Sequence, residues 1–150
     1  MELEFVTNRA DAAAIEAHLR ACEAQFVPPL SSRVDLAAYG AKMVEHAVLF
    51  EAWAGDRLVG LVAGYANDLK RQDSFVTNVS VLPGWHGRGV ANRLLGAFIV
   101  HAREAGFVRV VLRVDTRNDA ARGLYRKHGF AEGPVDATSQ EMTFDLRTIQ

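Results

Sequence analysis

Apolar residues recur at two different periods along this chain, and the switches between them mark out its elements. Ile15, Leu19, Cys22 and Phe26 fall at helical spacing, so residues 10–25 read as an amphipathic helix. Asn8 caps its start, with Asp11 three residues on reinforcing it. Residues 2–7 read as a short strand before it, and Pro28-Pro29-Leu30-Ser31-Ser32 as a loop after it. Ser32 with Asp35 repeats the cap pattern, and Leu36, Tyr39 and Met43 supply the stripe of a second helix ending near His46. Residues 48–53 and 58–66, rich in strand formers, flank the turn Ala54-Gly55-Asp56 as an antiparallel hairpin. A further strand covers 75–81 and stops at Pro83-Gly84.

A helix follows over 89–105, with Leu94, Leu95, Phe98 and Ala102 on its apolar face and Gly106 where a left-handed cap belongs. Residues 107–114 form a nearly continuous apolar run, a buried strand. Strand, helix and strand make a βαβ unit, whose strands are parallel and whose crossover is right-handed. Asn118 caps a short helix ending at His128-Gly129, with Phe130 as the contact after the cap. Met142, Phe144 and Leu146 alternate in the last strand, and one more strand is expected around 131–135. This order is that of an α/β sheet with mixed strand directions.

Length and charge narrow the classes. A chain of 150 residues fits one domain, 1–150. Seventeen Lys and Arg against eighteen Asp and Glu leave no basic surplus for nucleic acid. No apolar run approaches the ~20 residues of a membrane span, and the N-terminal MELEFVTNRAD has no signal-peptide pattern. The single cysteine, Cys22, excludes an internal disulfide and fits a reducing compartment, so the cytoplasm is the expected location. Cys22 lies on the apolar stripe of the first helix and reads as core. His18, His46, His101 and His128 read as residues of helix faces or ends, and the five histidines show no metal-site spacing. Trp53 and Tyr65 read as core or interface residues. The sheet edges are compatible with a homodimer.

The chemistry concentrates in residues 79–95, VSVLPGWHGRGVANRLL. A strand enters a loop holding Gly84, Gly87 and Gly89, and the loop feeds a helix. Glycines let successive N–H groups point at one spot, and a helix start adds unpaired donors and a positive dipole end. Together they make a nest for phosphate oxygens. This is neither a nucleotide P-loop nor the dinucleotide fingerprint, whose third glycine position is Asn92 here. As a bare pattern it is equally a tight turn before a core helix.

The segment resembles the acetyl-coenzyme A signature of the N-acetyltransferase (GNAT) superfamily. In His86-Gly87-Arg88-Gly89-Val90-Ala91 the match falls at Gly89 and Ala91, with His86 where the family has Gln or Arg. The preceding Val79-Ser80-Val81-Leu82-Pro83 resembles the family strand, and residues 118–130 resemble its second landmark. The resemblance implies one N-acetyltransferase domain of α+β type. Its central sheet would be mixed and mostly antiparallel, with six to seven strands, about four flanking helices and one parallel βαβ coenzyme-binding unit. It implies acetyl-CoA as co-substrate, without metal. Val79 and Val81 would pair with pantetheine, and an N–H near Val79 or Ser80 would hold the thioester oxygen. His86, Gly87, Arg88, Gly89, Val90, Ala91 and Asn92 would bind the pyrophosphate, and Asn118 would touch the coenzyme. His86 in that role would make affinity fall as pH rises through neutrality.

Tyr125 would supply a proton or a hydrogen bond to the leaving thiolate. No Asp or Glu stands on the strand where many relatives carry a base. Base work would pass through water held by Thr77, Asn78 and Ser80, or fall to Glu51, Asp73, Asp115 or Glu141. That absence tilts the expected acceptor toward a low-pKa amine: at pH 7, reaching the neutral form costs about 1.4 kcal/mol for an α-amine and roughly 4–5 for lysine. Phe26, Tyr39 and Asp68 are candidates for substrate contact. The expected reaction is acetyl transfer to a primary amine, of a small molecule, by direct attack in a ternary complex. Acetylation of a protein N-terminus or lysine, and a non-catalytic acyl-CoA sensor, are the alternatives.

Overall fold

The first helix begins at Asp11 and not at Asn8. In the computed structural model, which describes residues 2–147, Asp11 accepts from the N–H of Ala14 at 2.8 Å and opens α1 (Ala12–Cys22). Asn8 adopts a left-handed conformation, φ 58°. Its side chain accepts from Leu49 N–H at 2.8 Å, tying β1 (Glu4–Thr7) to β2 (Val48–Ala54). Asn tolerates that conformation and bonds locally, so the same residue type serves a turn as well as a cap. The α-helix also stops short, passing into a 3₁₀ turn at Glu23–Gln25. Asp35 alone caps α2 (Leu36–His46), accepting from Ala37 and Ala38, while the Ser32 hydroxyl donates to Pro29 O within the preceding 3₁₀ turn.

The remaining elements follow the expected order: β3 (Arg57–Tyr65), β4 (Asp73–Val81), α3 (Val90–Glu104), β5 (Arg109–Asp115), α4 (Asp119–His128), β6 (Ala131–Asp136) and β7 (Ser139–Asp145). They build one seven-stranded sheet in the order β1-β2-β3-β4-β5-β7-β6. Every neighbouring pair is antiparallel except β4 and β5. The α+β class and the parallel unit are as the sequence predicts.

Two apolar clusters cover the sheet. Ile15, Leu19, Leu36 and Met43 of α1 and α2 pack on Leu49, Leu61 and Ala63. Leu94, Leu95, Phe98 and Ala102 of α3 pack on Ala52, Val62, Val76 and Val110. Cys22 is fully buried, as expected of a core residue, and Trp53 is 8% exposed. Gly64 lets α3 sit close. A Cβ there would strike the Phe98 ring and come within 2.8 Å of Phe75 O. Gly64→Ala should therefore cost about 1–3 kcal/mol of stability as overpacking, read as a lower denaturation midpoint at constant m-value.

Candidate active site

The parallel pair is short. β4 and β5 pair only over Asp73↔Arg109, Ser74↔Val110 and Phe75↔Val111. Two residues on, Thr77 is an extra residue in the β3–β4 ladder, between Val76 opposite Gly64 and Asn78 opposite Ala63. Such a bulge bends its strand. Beyond it β4 and β5 no longer pair, and a cleft of about 810 Å³ opens between them.

Strand alternation decides which β4 groups face this cleft. Leu82 N–H donates to Val59 O at 2.8 Å, so Leu82 points to β3. Ser80, two residues earlier, points its backbone the same way. Val79 and Val81 present theirs to the open side. The Val81 carbonyl there accepts from Gln25 Nε2 at 2.8 Å and from His86 Nε2 at 2.9 Å. Of the two N–H groups expected to hold a carbonyl oxygen, only that of Val79 faces the gap.

At one end of the cleft lies the loop 82–89. Gly84, Gly87 and Gly89 have φ of 91°, 77° and 75°. A Cβ on any of them would meet nothing within 4 Å, so backbone conformation and not crowding demands glycine here. Gly89 is the N-cap of α3 and supplies no side-chain acceptor. The N–H groups of Val90, Ala91 and Asn92 thus start a fifteen-residue helix without a capping bond. His86 and Arg88 are exposed beside them, Arg88 stacking 4.7 Å above the Trp85 ring. With its Nε2 donating to Val81, His86 has only Nδ1 to offer a ligand.

Across the cleft, α4 carries Asn118 and Tyr125. Asn118 caps the helix by accepting from Ala121 N–H at 3.2 Å, and it lines the cleft. Arg122, on the same face, is held by Gln140, Thr116 O and Glu132. Tyr125 lines the cleft at 7% exposure, braced by Phe130 with ring centroids 5.9 Å apart. Gly129, φ 106°, ends the helix and turns Phe130 back onto it. The Tyr125 hydroxyl bonds to no other described residue, and burial pushes its pKa up to about 12.

The far end is walled by Phe26, Val27, Arg33, Tyr65, Phe75 and Thr77. Phe26 was expected there. Tyr39 comes close, its hydroxyl donating to Thr77 O at 2.7 Å, and burial raises its pKa. Asp68 is not brought to the cleft; it closes its own loop, accepting from Lys70 and Gln72 N–H. Tyr65, expected in core or interface, instead lines the cleft, with a buried hydroxyl lacking a partner among the described residues. Gln25 and Phe75 carried no signal in the sequence.

The four carboxylates considered as bases are otherwise engaged. Glu51 is buried under Trp53 Nε1 and the N–H groups of Arg9 and Ala10. Asp73 pairs with Arg109 at 2.7 Å, and Glu141 lies 3.9 Å from Arg113. Only Asp115 lines the cleft, and its hydrogen bonds from Arg117 hold its carboxyl far below the usual range, leaving it a very weak base. On the side of β4 that faces α1, the Ser80 side chain, 3% exposed, meets His18 at 2.9 Å and Asn78 at 2.7 Å. Neither that histidine nor its contact with Ser80 was expected; the two lie 62 residues apart.

Known proteins share this architecture. N-alpha-acetyltransferase RimI of Mycobacterium tuberculosis is 42% identical over 83 residues, 52% of this chain and 51% of that protein. The chain spans about half the length of the curated relatives it matches. The ribosomal-protein-S18-alanine N-acetyltransferase of Escherichia coli superposes with a TM-score of 0.78 at 18% identity, over 99% of this chain and 97% of that one. PaiA N-acetyltransferase of Thermoplasma acidophilum, in complex with coenzyme A, gives 0.76 at 12% identity, over 97% and 99%. The description "Acetyltransferase (GNAT) family" fits residues 12–130, which take in the cleft, the glycine loop and α4; the chain belongs to that family.

Proposed function

We propose that the protein transfers an acetyl group from acetyl-CoA to a primary amine of low pKa, that of a small molecule, by direct attack in a ternary complex. The observation that carries this reading is the unpaired stretch of β4 and β5, which joins the uncapped start of α3 to Tyr125. The residues present fit the co-substrate. The open arc over Gly84, Gly87 and Gly89, with Arg88 in the same loop, suits a pyrophosphate, and the free edge of Val79, with Asn118 lining the same cleft, suits an amide-bearing arm. The coenzyme A complex of the PaiA enzyme from Thermoplasma acidophilum supports the same ligand class.

Val79 N–H is the donor for the thioester oxygen as charge develops on it. Tyr125 faces the leaving sulfur. A phenol at about 12 gives a proton to a thiolate of pKa about 8–9 only at a cost of about 4–5 kcal/mol. Tyr125 therefore stabilises the thiolate by hydrogen bonding, with proton transfer from elsewhere. Among the described residues the cleft has no carboxylate able to deprotonate a lysine ammonium, which favours an amine already partly neutral at pH 7.

A second reading, a peptide α-amine as acceptor, is favoured by the likeness to RimI. A panel of small amines, N-terminal peptides and lysine peptides, followed by thiol release from acetyl-CoA, separates them. Turnover confined to small amines supports the first reading and turnover confined to N-terminal peptides the second. Coenzyme binding without thiol release from any amine leaves a sensor.

A further inference from the structure

We infer that His18, acting through Ser80, takes up the proton that the acceptor amine loses when it attacks the thioester. This rests on the acetyltransferase reading above. Ser80 and Asn78 line the cleft; His18 does not. Its ring lies behind β4, 3% exposed, with both nitrogens engaged. Nδ1 is 3.1 Å from Leu58 O, an acceptor that cannot donate, so Nδ1 carries the hydrogen. In the neutral ring this leaves a lone pair on Nε2, aimed at Ser80 Oγ 2.9 Å away. The arrangement of orienting carbonyl, imidazole and hydroxyl is that of a base acting through a hydroxyl group.

The Ser80 proton has two acceptors in reach, His18 Nε2 and Asn78 Oδ1 at 2.7 Å. Asn78 Nδ2 is buried without a partner among the described residues. Turning that amide over would let Nδ2 donate to Ser80 Oγ and commit the hydroxyl proton to His18. The remaining groups facing the ring keep it neutral at rest. Burial, and then the charge of Arg57 on β3, lower its pKa. Cys22, one helical turn along α1 with Sγ 3.6 Å from Nε2, is a thiol pushed up to about 11 and uncharged. Asp115, the cleft's one carboxylate among the described residues, is neutralised by Arg117, so none of them offers the acceptor a better base.

The amine nitrogen bonds to the carbonyl carbon, and the carbonyl electron pair moves to oxygen. The new N–H⁺ gives its proton to Ser80 Oγ as the Ser80 hydroxyl proton passes to His18 Nε2. The oxygen's electron pair then re-forms the C=O bond as the C–S bond breaks, the bonding pair leaving with sulfur. His18 returns its proton by the same route once product departs.

The test is the pH profile of kcat for the wild type, His18→Gln and Ser80→Ala, at saturating acetyl-CoA with the best amine of the panel. Both variants should lose at least about 100-fold in kcat near neutrality, with the acetyl-CoA dissociation constant unchanged. The wild-type profile should fall on an acid limb as His18 becomes protonated, and His18→Gln should lack that limb. A folded His18→Gln protein with wild-type kcat and an unaltered acid limb overturns the inference. Should His18→Gln fail to fold, the solvent isotope effect decides. A curved proton inventory in the wild type that Ser80→Ala makes linear supports the relay; a linear one in the wild type overturns it. Wild-type protein that releases no thiol with any amine defeats the acetyltransferase reading itself, a different result from turnover indifferent to His18.

Discussion

Gly89→Val should abolish acetyl-CoA binding while leaving the fold in place. At φ 75° a β-branched residue is a genuine outlier, so the backbone must rotate or hold roughly 1–3 kcal/mol of strain. Rotation turns the peptide groups that lead into α3 away from their common focus. Without rotation, the valine projects into the open space around the loop, where a pyrophosphate would settle. Either way the dissociation constant should rise at least 100-fold, about 2.7 kcal/mol, as read by calorimetry. Gly55→Val is the control. Gly55 has φ 63° and an equally open surround, but it sits in the β2–β3 turn, away from the cleft. It should cost similar stability and leave binding untouched. Equal affinity loss in both variants, or none in Gly89→Val, would remove the glycine loop from the binding site.

Tyr125→Phe should lower kcat by about 10²–10³, the usual loss when a donor to developing charge is removed. The ring packing on Phe130 survives, so acetyl-CoA affinity should stay constant. Stability should hold or rise slightly, because the hydroxyl bonds to no described residue and its removal strands no partner. Burial raises the phenol's pKa, so it stays protonated, and able to donate, throughout the working range; its ionisation contributes no alkaline limb below pH 10. Full turnover by Tyr125→Phe would take the residue out of the reaction.

What could be read from the sequence divides along physical lines. The α3 helix, the glycine loop and the α4 cap were legible because each is local: periodicity, positive-φ glycines and an Asn–helix–Gly frame act over a few residues. Asn8 and Ser32 were misread as caps because short polar side chains serve turns and caps alike, and only the neighbouring strand or turn decides between them. Asp68 failed as a site residue for the same reason, spending its oxygens on its own loop. The walls of the cleft were the least legible. Gln25, Tyr65 and Phe75 converge only because the fold brings three segments together, the turn after α1, β3 and β4. His18 looked like an ordinary helix residue, since nothing local says that its ring ends 2.9 Å from a hydroxyl on β4.

A coenzyme held at the bare first turn of α3 would tie the protein's survival to supply. A helix end that carries no cap of its own is completed by whatever anion settles on it, and such a ligand holds the native state alone. Occupancy at 100 times the dissociation constant adds about 2.7 kcal/mol against unfolding. A shrinking coenzyme pool would then idle the molecule and also hasten its loss to proteases, making its abundance follow its nutrient.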